Sequence, residues 1–384
     1  MDTIQFEDIR PYSDGELPEA IAGLLKEEAF VSLLAKYVPD IKVDSVESLL
    51  DGVARATDFQ LKFMFPVLKR VIKGLCSELT VSGRENMHTP SLYMSNHRDI
   101  VIDPSFLCMT LVDNGFDTCE IGIGDNLLST PWVRRLVRIN KCFIVKRGLS
   151  TREAVKAFVQ LSSYIRHAIT GKGTSVWIAQ REGRAKDSDD RTQDSIIKMF
   201  ALSGDGTLAE SLAPLNITPV SISYEYDPCD YLKAMELQQK RDNPSFRKGA
   251  DDDMRSMQTG ILGCKGRVHY AYTPCINGEL ERIVHEHHGD RKGQIRAVCE
   301  LCDRQIFGAY RIYPINCVAY DRLLGVSRFA GRCTAEERHT AEDYLASRLA
   351  KIEMPGRDEP FLRRKLLEMY ANPLINKLSV TGDV

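Results

Sequence analysis

The residues best suited to acid–base chemistry lie in one short segment, Ser95 to Pro104, with the sequence SNHRDIVIDP. It contains one histidine, His97, and two aspartates that follow it closely, Asp99 and Asp103. An imidazole beside a carboxylate can remove a proton from a hydroxyl group, because the carboxylate fixes the ring tautomer and stabilises the imidazolium that forms. A histidine that is hydrogen-bonded only for structural reasons is the alternative. The segment predicts a general base at His97, with either aspartate as its partner.

Two further segments place positive charge directly after short apolar runs. FIVKRG contains Lys146 and Arg147, and IAQREGRAK contains Arg184 and Lys186. Guanidinium groups bind phosphate through paired N–H donors, so they suit a phosphorylated substrate. Each basic pair taken alone could be a solvated strand end. Together with His97 they predict an anion pocket beside a base, and a phosphorylated alcohol is its natural ligand.

Short apolar runs alternate with helical patterns and would position these side chains. The predicted strands are 91–94, 120–124, 142–145, 175–179, 216–224 and 267–272. Apolar strands that alternate with helices indicate an α/β fold, with a twisted, mostly parallel or mixed sheet flanked by helices. Such sheets hold ligands at the carboxyl ends of their strands, where His97 and the basic pairs stand. The polar stretch 240–258 is predicted to be a loop or an insertion.

Four blocks in this order resemble the motifs of the glycerolipid acyltransferases. The blocks are Asn96-His97 with a following Asp, Phe143 with Arg147, Glu182-Gly183 with Arg184, and Pro219. The resemblance spans about residues 80–275, and Tyr313–Tyr320 is similar to a downstream region of a bacterial subgroup. It implies transfer of a fatty acyl group from acyl-CoA or acyl carrier protein to a glycerophosphate-type hydroxyl, most simply that of 1-acyl-sn-glycerol-3-phosphate, in phospholipid biosynthesis.

The resemblance also implies a role for each block. His97 would be the general base for direct attack on the thioester, without an acyl-enzyme. Arg147 and Arg184 would hold the acceptor phosphate, with Lys146 and Lys186 beside them. Asn96, Glu182 and Gly183 would complete the first and third blocks, and Pro219 would shape the acyl-donor site. No metal or cofactor beyond the acyl-donor substrate is implied.

Two departures from the family pattern leave alternatives open. The pattern usually has four residues between histidine and aspartate, a position that Ile102 occupies here. Asp103 is the favoured partner, because a one-residue bulge would restore its reach, and Asp99 stays open. Arg184 stands one place earlier than usual, so Lys186 could take its role. The alternatives are an inactive lipid- or acyl-CoA-binding protein, or an acyltransferase with another acceptor, such as glycerol-3-phosphate or a lysophospholipid.

Two other interpretations of the motifs fail. His97-Arg-Asp99 is also the core of the protein-kinase catalytic loop, but the asparagine of that loop is replaced by Pro104, and no Asp-Phe-Gly triplet exists. Cys299 and Cys302 follow a histidine cluster, yet they lie in a predicted helix rather than in the short knuckles of structural zinc sites. We therefore predict neither a kinase nor a metal site.

Composition limits the partners and the compartment. The chain has 51 Lys and Arg against 53 Asp and Glu, so no overall basic charge attracts nucleic acid. The 11 cysteines are scattered through apolar runs, which is typical of a reducing compartment. Phe59–Leu75 combines aromatic residues with four cations and resembles a membrane-surface helix. We expect a cytoplasmic protein, peripheral on the inner face of the membrane, with a helical region 1–80, a catalytic domain 81–280 and a helical extension 281–384.

Overall fold

The computed structural model describes residues 6–37 and 52–383. Seven strands form one sheet in the order β1-β7-β6-β2-β5-β3-β4. The strands are β1 Cys76–Ser82, β2 Leu92–Ser95, β3 Glu120–Gly124, β4 Cys142–Val145, β5 Val176–Ala179, β6 Ile217–Tyr224 and β7 Gly266–Tyr272. Every run predicted as a strand belongs to this sheet.

Helices cover the sheet and extend the chain at both ends. The first are α1 Leu17–Leu25, α2 Glu28–Tyr37, α3 Ala56–Phe59, a π-helical turn Gln60–Met64, α4 Phe65–Val71, α5 Ile102–Asp113, α6 Pro131–Ile139 and α7 Thr151–Arg166 with a π-helical turn His167–Gly171. They are followed by α8 Asp194–Ala201, α9 Leu208–Leu212, α10 Asp230–Asp242, α11 Ala250–Leu262, α12 Asn277–Glu286, α13 Arg291–Gly308, α14 Pro314–Leu324, α15 Ala335–Ala350 and α16 Glu359–Thr381.

The sheet is mixed, and the fold class predicted from the sequence is confirmed. The five strands β6, β2, β5, β3 and β4 run parallel to one another. Strand β7 is antiparallel to β6 and parallel to β1. The carboxyl ends of five strands therefore meet at one edge. The central strands have helices on both faces, which is why all eight residues of β6 are buried, including the hydroxyl residues Thr218, Ser221 and Ser223.

The predicted membrane-surface helix is shorter than expected and contributes to a core. The helical rod of α3, the π turn and α4 ends at Val71, and β1 begins at Cys76. Phe59 and Phe63 are buried against α1 and α2. The aromatic face of the amphipathic pattern is therefore explained by burial within the protein. The four cations of the predicted segment stay exposed: Lys62, Lys69 and Arg70 on the rod, and Lys73 just after it. Within the described residues, no helix has both the length and the apolar composition needed to cross a bilayer.

The loop prediction for 240–258 is wrong, because most of this stretch is helical. It contains the end of α10 and much of α11. Asp252 accepts a hydrogen bond from the backbone N–H of Gly249 (3.0 Å), which caps the start of α11. Three consecutive aspartates then lie at the positive end of the helix dipole. The polar residues that suggested a loop include the charged first turn of a helix.

Candidate active site

His97 and Asp103 form a hydrogen-bonded pair beyond the carboxyl end of β2. His97 Nδ1 lies 2.8 Å from Asp103 Oδ2. The imidazole side chain is 13% exposed, and the carboxylate is completely buried. With its Nδ1–H donated to Asp103, the ring carries the free lone pair on Nε2, and His97 lines a large cavity. This is the arrangement of a general base with an orienting carboxylate.

Asp103 is held in place by the start of helix α5. It stands in the first turn of α5, and its Oδ2 also accepts hydrogen bonds from the backbone N–H groups of Arg98 (2.6 Å) and Asp99 (3.0 Å). Backbone donors and the helix dipole both favour the charged carboxylate. A negative Asp103 would in turn stabilise the imidazolium of His97.

Asp99 shapes the loop and does not contact His97. Its Oδ1 accepts hydrogen bonds from the backbone N–H groups of Val101 (2.9 Å) and Ile102 (2.8 Å), which closes a turn before α5. This turn accommodates the additional residue between His97 and Asp103. Burial, together with the charge of nearby Asp103, raises the pKa of Asp99. Of the two candidate partners, the structure brings Asp103 to the histidine.

Two neighbours frame the pair. Trp177 of β5 packs edge-on against the His97 ring, with 5.5 Å between the ring centroids. Asn96 is buried and ties β2 to β6: its amide donates to the carbonyl of Ile222, and its Oδ1 accepts from the N–H of Ile222, both at 2.8 Å. Asn96 thus fixes the backbone immediately before His97.

The cavity beside His97 has a volume of about 810 Å³ and mostly apolar walls. This volume is in the range of small-molecule sites, roughly 300–1,000 Å³. Its walls come from α2, the π turn, α4, α5, α6 and α11. Representative side chains are Phe30, Leu33, Phe63, Val67, Leu68, Cys108, Leu136, Met254, Met257 and Ile261. Sequence reasoning missed α2 and α11 as parts of the site, because nothing in their sequences links them to the sheet edge.

Arg147 and Glu182 lie at the polar part of this cavity. Arg147 Nη1 is 3.8 Å from Glu182 Oε1, and the buried Arg147 Nε has no hydrogen-bond partner among the described residues. Gly183 follows with a φ of +67°, a conformation that favours glycine. Arg181 also lines the cavity and has no carboxylate within salt-bridge distance in the described part of the chain. Arg181 lies in the same basic segment as Arg184, but its sequence position alone did not mark it as a site residue.

Lys146 and Pro219 occupy different surroundings. The Lys146 ammonium pairs with Asp8, near the start of the described chain, and lies 3.3 Å from Gln160 Oε1. Pro219 stands inside β6, and its carbonyl accepts hydrogen bonds from Thr273 N–H (3.0 Å) and Thr273 Oγ1 (2.7 Å). Lys146 lines the cavity next to Arg147, but its ammonium is paired with Asp8. Pro219 stands in the sheet and is not among the residues that line the cavity.

Arg184 and Lys186 are not among the residues that line the cavity. Arg184 is buried, and although burial alone would lower its pKa, nearby Cys229, Asp99 and Asp227 raise it. Lys186 Nζ is 3.1 Å from Glu236 Oε2, and burial and the charge of Arg184 lower its pKa to about 7. Phosphate binding by Arg184 and Lys186 remains a prediction. It is not supported by their position outside the cavity or by their interactions with other side chains.

The described residues contain no group of three or more His, Cys, Asp and Glu side chains that could hold a metal ion. Cys299 and Cys302 are buried on α13 within the core. His285 belongs to the neighbouring helix α12. The two cysteines thus pack as small apolar side chains.

Comparison with known proteins finds a match to one protein family. Residues 78–223, which include His97, Asp103 and Arg147, match the family model described as Acyltransferase. This part of the chain is similar to the acyltransferase family. No curated protein matches the chain.

Two solved structures show low similarity. One is the 1-acyl-sn-glycerophosphate acyltransferase PlsC from Thermotoga maritima, with 13% identity, 76% of this chain and 96% of that chain covered, and a TM-score of 0.34. The other is the 54 kDa signal recognition particle protein of Aeropyrum pernix K1 in complex with GDP, with 13% identity, 91% and 87% covered, and a TM-score of 0.19. At these scores neither similarity supports an inference about this chain.

Proposed function

We propose that the protein transfers a fatty acyl group from a thioester donor, acyl-CoA or acyl carrier protein, to the hydroxyl of a glycerophosphate-type acceptor, with His97 as the base. The observation that carries this proposal is the hydrogen bond between His97 and Asp103. It leaves Nε2 of His97 free, and His97 lines a large apolar cavity. The match of residues 78–223 to the acyltransferase family model supports this class of reaction.

The proposed step moves one proton and exchanges one bond. His97 Nε2 takes the proton of the acceptor hydroxyl while the oxygen attacks the thioester carbonyl. The new C–O bond forms as the C–S bond breaks, and the proton passes from the imidazolium to the departing thiolate. Asp103 stabilises the imidazolium between these two transfers. Among the described residues, no serine or cysteine is hydrogen-bonded to His97, and the step needs no such nucleophile.

The apolar cavity suits the hydrocarbon chain of the donor. Each methylene that leaves water for an apolar site contributes about 0.8 kcal/mol. A chain seated between α4, α6 and α11 would place its thioester at the His97 end of the cavity. We therefore favour a long-chain fatty acyl donor over a short one.

The acceptor is proposed to carry a phosphate, because Arg147 and Arg181 lie at the same cavity as His97. Two guanidinium groups near a base can hold the phosphate while the hydroxyl reacts. We favour 1-acyl-sn-glycerol-3-phosphate, with glycerol-3-phosphate or another lysophospholipid as the alternative acceptors. The unusual His–Asp spacing argued for an inactive binding protein, and the contact between His97 and Asp103 removes that reason.

A thiol-release assay tests the proposal. Purified protein is incubated with long-chain acyl-CoA or acyl carrier protein and with each of the three acceptor classes, and His97→Ala serves as the control. We expect acceptor-dependent thiol release that the control lacks. Binding of acyl-CoA without release for any donor and acceptor pair would instead identify an inactive binding protein.

We also propose peripheral binding to the cytoplasmic face of the membrane, through the exposed cations of the α3–α4 rod and the turn that follows it. Each cation near an anionic surface contributes about 1 kcal/mol. Vesicle flotation is compared for the wild type, for Lys69, Arg70 and Lys73 changed to Glu, and for a control with Arg291, Lys292 and Arg296 of α13 changed to Glu. The control positions are also exposed cations on one helix. Loss of flotation in the first variant alone is expected, and equal flotation of both variants would place the contact elsewhere.

A further inference from the structure

A second cavity of about 490 Å³ lies between β7 and the C-terminal helices. It shares no lining residue with the cavity beside His97. Its walls are His269, Ala309, Tyr310, Arg311, Ile312, Pro314, Cys317, Arg332, Cys333 and Lys377. Three of these ten residues carry a positive charge and none carries a negative one.

The three cations lack a counterion. None of Arg311, Arg332 and Lys377 has a carboxylate oxygen within 4.0 Å among residues 6–37 and 52–383, although other cations of the chain form many such pairs. The Arg311 side chain donates one hydrogen bond, from Nη1 to Thr80 Oγ1 (3.1 Å). The Arg332 side chain makes no hydrogen bond with a described residue. Burial and the charge of Arg332 lower the pKa of Lys377, as expected for cations that repel each other.

Lys377 and His269 are held in fixed positions. The Lys377 ammonium donates to the carbonyls of Gly308 (3.0 Å) and Tyr310 (2.7 Å), which leaves its third N–H. His269 lies between Thr80 Oγ1 (2.8 Å) and Ser82 Oγ (2.9 Å). Burial and the charges of Arg311 and Lys377 lower the pKa of His269 to about 4, so the ring is neutral at pH 7. The cavity wall therefore contains three cations and one neutral imidazole.

Asp321 and Glu337, two acidic groups that interact with the lining residue Cys333, have other partners. Asp321 is buried and accepts a hydrogen bond from the backbone N–H of Phe329 (3.2 Å). Glu337 accepts from the backbone N–H of Thr334 (2.9 Å) and so caps α15. Neither carboxylate reaches the three cations. Cations that are placed together, away from carboxylates, are what a phosphate site requires.

We propose that this second cavity binds a phosphate monoester through Arg311, Arg332 and Lys377. The cavity is larger than a phosphate group alone, so the ligand carries an organic part. Tyr310, Ile312 and Pro314 supply apolar surface for that part. The phosphate could belong to a soluble phosphorylated molecule or to the headgroup of a membrane lipid, and the experiment below separates the two sources. The proposal does not depend on the activity proposed for His97.

Calorimetric titration with inorganic phosphate tests the site. The measurements use the Arg147→Gln/Arg181→Gln background, so that the cavity beside His97 does not contribute. In this background Arg332→Gln should weaken phosphate binding about tenfold, and Arg311→Gln/Arg332→Gln about 100-fold, because each charge-assisted contact contributes roughly a factor of ten. Arg328→Gln is the matched control, since Arg328 is an exposed arginine of the same region that does not line the cavity. Thermal melting verifies that each variant is folded.

Binding that is unchanged in the double variant would overturn the proposal. Equal weakening by Arg328→Gln would also overturn it, because the effect would then come from overall charge. Vesicles of phosphatidylcholine, with and without phosphatidate, identify the source. Recruitment by phosphatidate that Arg311→Gln/Arg332→Gln abolishes indicates a lipid headgroup. Phosphate binding without recruitment indicates a soluble phosphate monoester, and both results support the site.

Discussion

At the scale of single residues, Asp99 and Asp103 have different roles: Asp103 binds His97, and Asp99 binds the backbone of the loop. His97→Ala should lower kcat by at least about 10²-fold, because the base is lost. Asp103→Asn should approach this defect, since an amide cannot stabilise the imidazolium as a carboxylate does. Asp99→Asn should be mild, because an amide oxygen can still accept from Val101 and Ile102. Steady-state kinetics of the three variants check the order, and a larger defect for Asp99→Asn would refute the assigned pair.

The guanidinium groups of the first cavity should act on binding rather than on chemistry. Arg147→Gln and Arg181→Gln are expected to raise the KM for the acceptor roughly tenfold or more, with little change in kcat, because they hold the phosphate throughout the reaction. Lys146→Gln is the control on the same loop, since its ammonium pairs with Asp8. Kinetics at varied acceptor concentration give both constants. A larger effect at Lys146 than at Arg147 would assign the phosphate to the ammonium.

Residue types near the site could be predicted from the sequence, but side-chain direction could not. His97, Asp103 and Arg147 follow strand ends, and the sheet brings them to one edge as expected. Arg184 also follows a strand end, yet it turns inward toward Asp99 and Asp227. Glu182 lines the cavity and Arg184 does not, and Gly183 between them has a positive φ. Spacing along the chain gives no information about such a reversal.

At the scale of elements, helix α11 supports the catalytic loop at a single glycine. A Cβ on Gly260 would overlap Asp99 Oδ2, and Asp99 is held in place by Val101 and Ile102. Gly260→Ala should therefore cost about 1–3 kcal/mol of unfolding free energy, as overpacking does, and should lower kcat by displacing the loop. Urea unfolding and kinetics measure the two effects.

Gly278 in α12 is the matched control for this change. It is also a helical glycine, but its Cβ would meet no atom within 4 Å. Gly278→Ala should leave kcat unchanged and stabilise the protein by up to about 1 kcal/mol, because alanine is the better helix former. If Gly260→Ala behaved in the same way, α11 would not support the loop.

Strands were easier to predict than the helices around them. The runs at 120–124 and 142–145 coincide with β3 and β4, because β-branched and apolar residues between turns leave few other possibilities. Helix α11 was missed because its first turn is acidic, although acidic residues favour the start of a helix. The antiparallel direction of β7 depends on how α10 and α11 return the chain, and no local pattern contains this information.

At the scale of the whole molecule, one buried carboxylate joins three separate segments. Glu236 of α10 contacts Lys186 after β5 (3.1 Å), Lys240 of its own helix (2.7 Å) and Lys248 before α11 (2.8 Å). Burial alone would raise the pKa of Glu236, but the Lys186 charge and the hydrogen bonds from Lys240 and Lys248 lower it to about 2. The charged carboxylate thus holds together the elements that surround the catalytic loop.

This carboxylate should make stability depend on acid pH. Since the pKa of Glu236 is lower in the folded than in the unfolded protein, its contribution is present above pH 4.5 and is lost as the pH falls toward 2. Glu236→Gln should cost roughly 3 kcal/mol at pH 7 and remove this component of the acid sensitivity. Urea unfolding between pH 3 and 7 tests both points. Glu279→Gln, in an exposed ion pair with Arg282, should change stability by less than about 1 kcal/mol.

The wall of the first cavity also contains four methionines, Met64, Met199, Met254 and Met257. Unbranched thioethers adapt their shape, so the cavity can close around chains of different length and unsaturation. The same sulfur atoms make the wall sensitive to peroxide, because a sulfoxide is polar and would repel the hydrocarbon. Exposure to oxidant should therefore raise the KM for long acyl donors, and treatment with methionine sulfoxide reductases should restore it. A KM that oxidation leaves unchanged would show that these thioethers do not contact the chain.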